Sequence, residues 1–508
     1  MKPKHTLRNF LALAGSSLLA ISSAHAATRW FDGGTVDIGT NGNGASTGGT
    51  GTWNTTILNW DAGASPHVAW NNANADDAVI AGSGTLTVGV PVTVGALTLS
   101  YTSGTRTISG SEITINNGIT FGNPAGLQFQ AAIKLGGDQT WTIGGTNSSG
   151  KSISGGTNLN GHTLTWSGGL TNNGSPNHSD ITGNGSIIKN GAGNISLSGT
   201  NTYTGSTTIN SGNINAQSAT ALGNANNQLT VNTGGTLNMG SQSLSIGNLT
   251  GTGGLITGSS GTRTLTIGSG DNGGGNFQGV IENGSGGTTA LTKTGNAAIT
   301  LSGTNTYTGA TLLSAGTLLV NGALGNTAVT ANAGTFGGTG ALAGNVTINA
   351  ANFAPGASPG SLEIAGNLSL TASSTALIEL GGTAFDLNVT EEYDRTKLTG
   401  AASILTLGGG ALNVSALVSL AANQAFGIFQ LEAGATRTGT FAGLLTDGSL
   451  VGNFGGQDLF ITYSGDFGDS GTVSTTGGND IVLYTVIPEP STALLGAFGL
   501  LALLRRRR

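Results

Sequence analysis

The sequence predicts an all-β fold, a turn-rich solenoid, and three observations carry that prediction. Of 508 residues, 91 are glycine, 37% are hydrophobic and only 8% are charged. Short runs alternate apolar residues with Thr or Ser at period two. One nine-residue string occurs twice with matched flanks. Glycine at this level is destabilising inside helices, and the strong helix formers Lys, Glu and Arg are scarce. A disordered chain would carry more charge and less apolar content. Collagen would place glycine at every third residue, which this chain does not do.

The strand signals run along the body. They include Thr85–Val90, Ala96–Leu99, Glu112–Ile115, Ser243–Ile246, Arg263–Ile267, Val346–Ile348 and Leu368–Leu370. Period-two alternation buries one face and leaves the other to water. Gly, Asn and Ser separate the runs and supply the backbone that tight turns need. Two spacings suggest a coil length. SLSIG at 243 and TLTIG at 264 are 21 residues apart, and GNVTI at 344 and GNLSL at 366 are 22 apart. That length suits one three-sided solenoid turn at roughly 3.3 Å per strand residue. A β-sandwich array is the alternative, because short regular strands fit it too.

The repeat lies in 185–224 and 289–326. LSGTNTYTG is identical at Leu197–Gly205 and Leu301–Gly309, so Tyr203 and Gly205 recur as Tyr307 and Gly309. Lys189 matches Lys293, Gly191 matches Gly295, and A-L-G-N follows each copy at Ala221–Asn224 and Ala323–Asn326. The block resembles the autotransporter-associated β-strand repeat, also called the passenger-associated transport repeat. The resemblance implies coils of a right-handed parallel β-helix in a secreted passenger. Two strong copies are visible, and the pattern of a C-terminal outer-membrane barrel is not found, so self-transport through such a barrel is not expected.

The ends carry different signals. Residues 1–26 read as a secretory signal peptide for the Sec machinery. Lys2, Lys4 and Arg8 precede an apolar core, and Ala24-His25-Ala26 forms an A-x-A cleavage site. Residues 487–508 hold Pro488-Glu489-Pro490, an apolar stretch of about 14 residues, and Arg505, Arg506, Arg507 and Arg508. The stretch is shorter than the roughly 20 residues of a comfortable membrane span. This segment resembles the PEP-CTERM sorting signal. The resemblance implies a short transmembrane helix as a transient inner-membrane anchor, processing by an exosortase-type protease-transpeptidase, and a bacterium that makes exopolysaccharide.

Between these ends, residues 28–487 hold ten Lys and Arg against 22 Asp and Glu, a formal charge of −12. An acidic body argues against nucleic acid, which demands a basic footprint. Cysteine is absent, so neither disulfides nor thiol catalysis are available. We expect an N-terminal cap and early coils over 27–80, where Trp30, Trp53, Trp60 and Trp70 cover the first rung, in preference to a sugar-stacking platform. A β-helix is expected over 81–354. Further coils and a C-terminal β cap are expected over 355–486, from the turn Pro355–Gly360 through Leu368–Leu380 and Tyr393-Asp394 to GGNDIVLYTV at 477–486.

The sequence holds few residues placed for chemistry. His67, His162 and His178 stand apart, without metal-ligand spacing, and are expected as solvated loop residues. The acidic candidates are Asp76-Asp77 and Glu391, Glu392 and Asp394. The second set is flanked by Arg395 and Lys397 and is expected as a solvated, salt-bridged turn. Asp466 and Asp469 lie in a Gly-rich loop, a composition suited to weak Ca2+ binding. Gly477-Gly478-Asn479-Asp480 resembles one calcium-binding nonapeptide but lacks its glycine spacing. No catalytic residue, metal site or cofactor is assigned. The expected function is an exported, non-catalytic, adhesin-like surface protein associated with exopolysaccharide or biofilm matrix. The alternative is a β-helical polysaccharide lyase or hydrolase.

Overall fold

The computed structural model describes residues 26–33, 42–101, 103–122, 126–144, 150–168, 176–271, 274–356, 359–386, 390–432, 434–468 and 473–486. No α-helix occurs among them. Residues 1–25, most of the expected signal peptide, and the whole segment 487–508 lie outside the described residues, and Ala26 is exposed.

The chain forms a β-solenoid of about 13 turns. Almost every strand pairs in parallel with the strand one coil earlier and one coil later, and five ladders of 14, 11, 9, 8 and 10 strands result. This arrangement excludes the sandwich. One coil shows the plan: Thr311–Leu313, Thr317–Val320 and Ala323–Leu324 lie on three different sheets. The spacings read from the sequence are the coil registers, since Ser245 pairs with Thr266 and Val346 with Leu368.

In-register stacking builds the core. Ile299, Leu318, Phe336, Phe353 and Ala376 stand directly above one another, all fully buried. Each of the larger side chains contributes about 1.5–3 kcal/mol by leaving water, and the parallel ladder repeats the contact at every rung. Near the N-terminus, Phe31, Trp53, Trp60 and Trp70 pack ring on ring with centroids 4.7–5.4 Å apart and are buried. These four are core and present no face to a sugar, whereas Trp30, expected beside them, is only half-buried. A second aromatic group, Phe121, Trp141 and Trp166, stacks on His178.

The pairing changes towards the C-terminus. Thr375–Asp386 pairs antiparallel with Thr390–Tyr393 and parallel with Ala411–Ala416. Ala425–Leu431 pairs antiparallel with Asp480–Thr485, which pairs antiparallel with Gln457–Phe467, and that strand with Ser449–Phe454.

Candidate functional site

The twin repeats fold into twin hydrogen-bond modules. The Tyr203 hydroxyl lies 2.6 Å from Thr207 Oγ1, and the Tyr307 hydroxyl lies 2.7 Å from Thr311 Oγ1. All four residues are buried, and burial holds both phenols above the ordinary tyrosine range. Asn201 Oδ1 accepts from the Ile181 amide at 2.9 Å, and Asn305 Oδ1 accepts from the Ile281 amide at 3.0 Å. Each asparagine therefore ties its coil to the one before. Gly205 and Gly309 sit where the chain passes close to the preceding coil. A Cβ would lie 2.1 Å from the Gly185 oxygen in the first repeat and 2.4 Å from the Thr289 oxygen in the second, so only glycine fits.

The repeat lysines occupy core positions. Lys189 stacks between Trp166 and Ile209, and Lys293 between Ile267 and Leu313. Lys189 Nζ donates to the carbonyls of Asn190, Gly191 and Ser211 at 2.9, 2.7 and 3.3 Å. Lys293 Nζ donates to the Thr294 carbonyl, and to those of Gly295 and Ala315 at 2.8 and 3.4 Å. Gly191 and Gly295 turn with φ of 78° and 65°, which aims their carbonyls at the ammonium group. Burial pushes the Lys189 ammonium down to about 8 and lowers Lys293 as well. Arg263 follows the same logic, donating to the Gly240 and Asn283 carbonyls at 2.8 and 3.0 Å. The matched lysines, asparagines and tyrosines are thus engaged inside the fold, while the repeat threonines Thr200, Thr202, Thr204, Thr304, Thr306 and Thr308 stand exposed on the outside.

Several expectations from the sequence need correction. His67 is buried, its Nε2 2.8 Å from Asp32 Oδ2. His178 is buried against Trp141, with Nε2 2.8 Å from Thr157 Oγ1, and burial pushes its imidazole down to about 3. Only His162 is partly exposed, 3.5 Å from Asp138. A histidine inside an otherwise apolar column is indistinguishable in sequence from one in a loop. The stretch around Asp394 is no solvated turn. Asp394 is buried and accepts from the Gly360 and Glu379 amides at 3.1 and 2.9 Å. Arg395 is also buried and donates to Gln430 Oε1 at 3.0 Å, while Lys397 pairs with Glu432 at 2.6 Å. Asp76 binds Arg29 at 2.8 Å, and Asp77 accepts from the Ala96 amide. Asp466 is exposed, and Asp469 lies outside the described residues. Asp480 is buried and accepts from the Leu431 and Phe467 amides, both at 2.7 Å. Among the described residues, no group of three or more His, Asp or Glu is placed to hold a metal ion.

The outward face is where a partner can be met. One column runs through Thr140, Thr165, Thr208, Thr230 and Thr250, with Ile188 interposed. Another runs from Ser245 through Thr266, Thr292, Thr330, Thr347, Ser369 and Thr406 to Thr438, with Leu312 interposed. Beside them Asn190, Asn210 and Asn232 form an amide ladder with bonds of 2.9 and 2.8 Å. Residues 181–362 hold only five charged side chains, of which Lys189, Arg263 and Lys293 are buried. The surface of these coils is a hydroxyl and amide lattice with almost no charge.

Two segments, residues 187–216 and 291–320, carry a family likeness. Both match the Passenger-associated-transport-repeat model. The two transport repeats thus coincide with the twin hydrogen-bond modules. Over 322 residues the chain is also 31% identical to the Adhesin BmaC autotransporter of Brucella suis biovar 1 (strain 1330). That alignment takes in 62% of this chain but 7% of the relative, so the chain spans a small fraction of that protein's length.

Proposed function

We propose that this chain is an exported, non-catalytic, adhesin-like surface protein whose solenoid presents an uncharged hydroxyl and amide face. The similarity to part of an autotransporter adhesin carries the reading, and the two transport repeats support it. A non-enzymatic role is supported by how the carboxylates are used. Asp76, Asp394 and Asp480 are taken up by backbone amides or an arginine, not grouped along a groove.

The segment Pro488-Glu489-Pro490 with Arg505–Arg508 resembles an exosortase signal. It supports transient anchoring at the inner membrane, removal of the tail, and residence at the cell surface or in the exopolysaccharide matrix. In this reading the aromatic N-terminal end and the antiparallel C-terminal strands act as caps on the open ends of the solenoid.

The test is made in a producing cell. Surface labelling of intact cells should reach the protein, deletion of its gene should reduce adhesion, and the mature C-terminus should lack Arg508 by mass spectrometry. Protein confined to the cytoplasm overturns export. A mature form that retains Arg508 overturns the processing step alone. Turnover of a polysaccharide by the purified protein overturns the non-catalytic reading.

A further inference from the structure

We propose that a groove on the outward side of the coils between residues 304 and 395 binds a neutral polysaccharide chain. This deepens the adhesin reading and rests on it. The groove has a volume of about 460 Å³. It crosses successive rungs of one sheet, where Thr304, Ala323, Ala341 and Glu363 stand in register and Ser361 pairs with Arg395.

The sequence makes the groove by removing side chains. The outward column of the neighbouring sheet carries Thr330 and Thr347 over the same coils, whereas here the matching column carries Ala323 and Ala341. Gly322 and Gly340 bring the backbone closer still, since a Cβ on either would lie 2.1 or 2.0 Å from a carbonyl of the coil before. The floor is therefore methyl groups and backbone, bordered by Asn321 and Thr339. The Thr339 amide donates to Asn321 Oδ1 at 3.3 Å, which orients that carboxamide along the rim. At the far end Arg395 donates to Ser361 Oγ at 3.3 Å and to Gln430 at 3.0 Å, and its guanidinium stacks over Phe467. That end is thus a braced wall, and Glu363 is exposed beside it.

The lining selects the chemistry of the occupant. Hydroxyls and a carboxamide offer both donors and acceptors, which suits a polyol and gives nothing special to a hydrocarbon. The four rungs span roughly 15 Å along the solenoid at about 4.8 Å each, so the site is elongated and suits several sugar units in a row. An added peptide strand needs a free sheet edge, and the rungs of Ala323, Ala341 and Glu363 are already paired on both sides. Polyanions are disfavoured. Glu363 faces the groove, and residues 363–486 hold twelve acidic against three basic side chains, a formal −9. One carboxylate lines the site, fewer than the acid pair that glycoside hydrolysis requires, so binding without cleavage is expected.

The experiment uses the full mature protein recovered from cells. Titration calorimetry is run with neutral hexasaccharides of glucose, mannose and galactose and with polygalacturonate. The expected result is binding of at least one neutral hexasaccharide and none of polygalacturonate. Ala341→Trp fills the groove from a solvent-facing position and should weaken binding by about tenfold or more. Asn321→Ala should weaken it about threefold, and Thr347→Trp on the neighbouring face should leave it unchanged. No neutral ligand, a preference for polygalacturonate, or equal loss in Thr347→Trp overturns the proposal. So does a concentration-dependent dimer that Ala341→Trp abolishes, because the groove then seats a second copy. Surface labelling of the same variants separates the two readings. Binding lost with display intact condemns the groove alone, whereas a wild-type protein that never reaches the surface removes the adhesin reading.

Discussion

Residues 181–362 and residues 363–485 hold their backbones by opposite charges. In the first stretch Lys189, Arg263 and Lys293 enter the core and donate to carbonyls at the coil turns. In the second, Asp394, Asp447 and Asp480 accept from backbone amides. The difference follows the topology. Uninterrupted parallel coils turn at glycine-rich corners whose carbonyls point inward at a common place. Where strands reverse and pair antiparallel, amides at strand junctions are left to be satisfied. The surfaces differ accordingly, because a region that buries its cations and carries few acids outside is nearly neutral. The acid-rich region is not.

Asp480 separates the two regions most sharply. Replacing it by Ala strips both the Leu431 and Phe467 amides of their acceptor and should cost about 2–4 kcal/mol. Hydrogen exchange should show protection lost over 425–485 and kept over 181–362, as expected when coils are coupled mainly to their neighbours. Loss spread evenly along the chain would show that the two regions form one cooperative unit. Next in size is Gly309→Ala, which drives a methyl against the Thr289 carbonyl and should cost about 1–3 kcal/mol. Here the protection should fall in the coils around 281–330 and leave 425–485 unchanged.

The gentlest perturbation is pH. In the folded chain Lys189 titrates near 8 and Lys293 is also lowered, against 10.5 when free. Above about 8 the unfolded chain holds more protons than the folded one, so stability should rise with pH towards 10.5. Tyr203 and Tyr307 act in the reverse sense. Their folded values lie above the free value of 10.0, so the unfolded chain ionises first and stability falls beyond that point. Thermal melts should therefore improve from pH 8 to about 10 and then decline. Lys189→Met should flatten the rising limb, and an unchanged limb would mean that this lysine is not desolvated.

The solenoid was readable because its signals are local and repeated. Alternation at Val346–Ile348 and Leu368–Leu370 fixes which face is inward, and the interval of 22 residues between them is the coil itself. The buried ions were not readable. Lys293 and Lys397 look alike in sequence, but one lies under a ring of turn carbonyls and the other pairs with Glu432 nearer the surface. The matched Lys-x-Gly of the two repeats was the available clue, since a turn glycine two residues after a lysine supplies the acceptor. Asp480 gave a misleading clue, because its Gly-Gly-Asn-Asp setting suggests calcium while its carboxylate is engaged by two amides from distant strands. The groove was hidden for a simpler reason. Ala323 and Ala341 are 18 residues apart, and only the parallel register places them side by side.

The ladder bonds run along the solenoid axis, and no cysteine staples one coil to another. A pull on the two ends therefore loads the rungs one after another, as a zipper is loaded. A released coil of 18 to 22 residues pays out roughly 60–75 Å of extended chain in exchange for about 4.8 Å of stacked height. Under flow such a rod lengthens by stages while its remaining coils keep their shape, and it can rewind when the load falls.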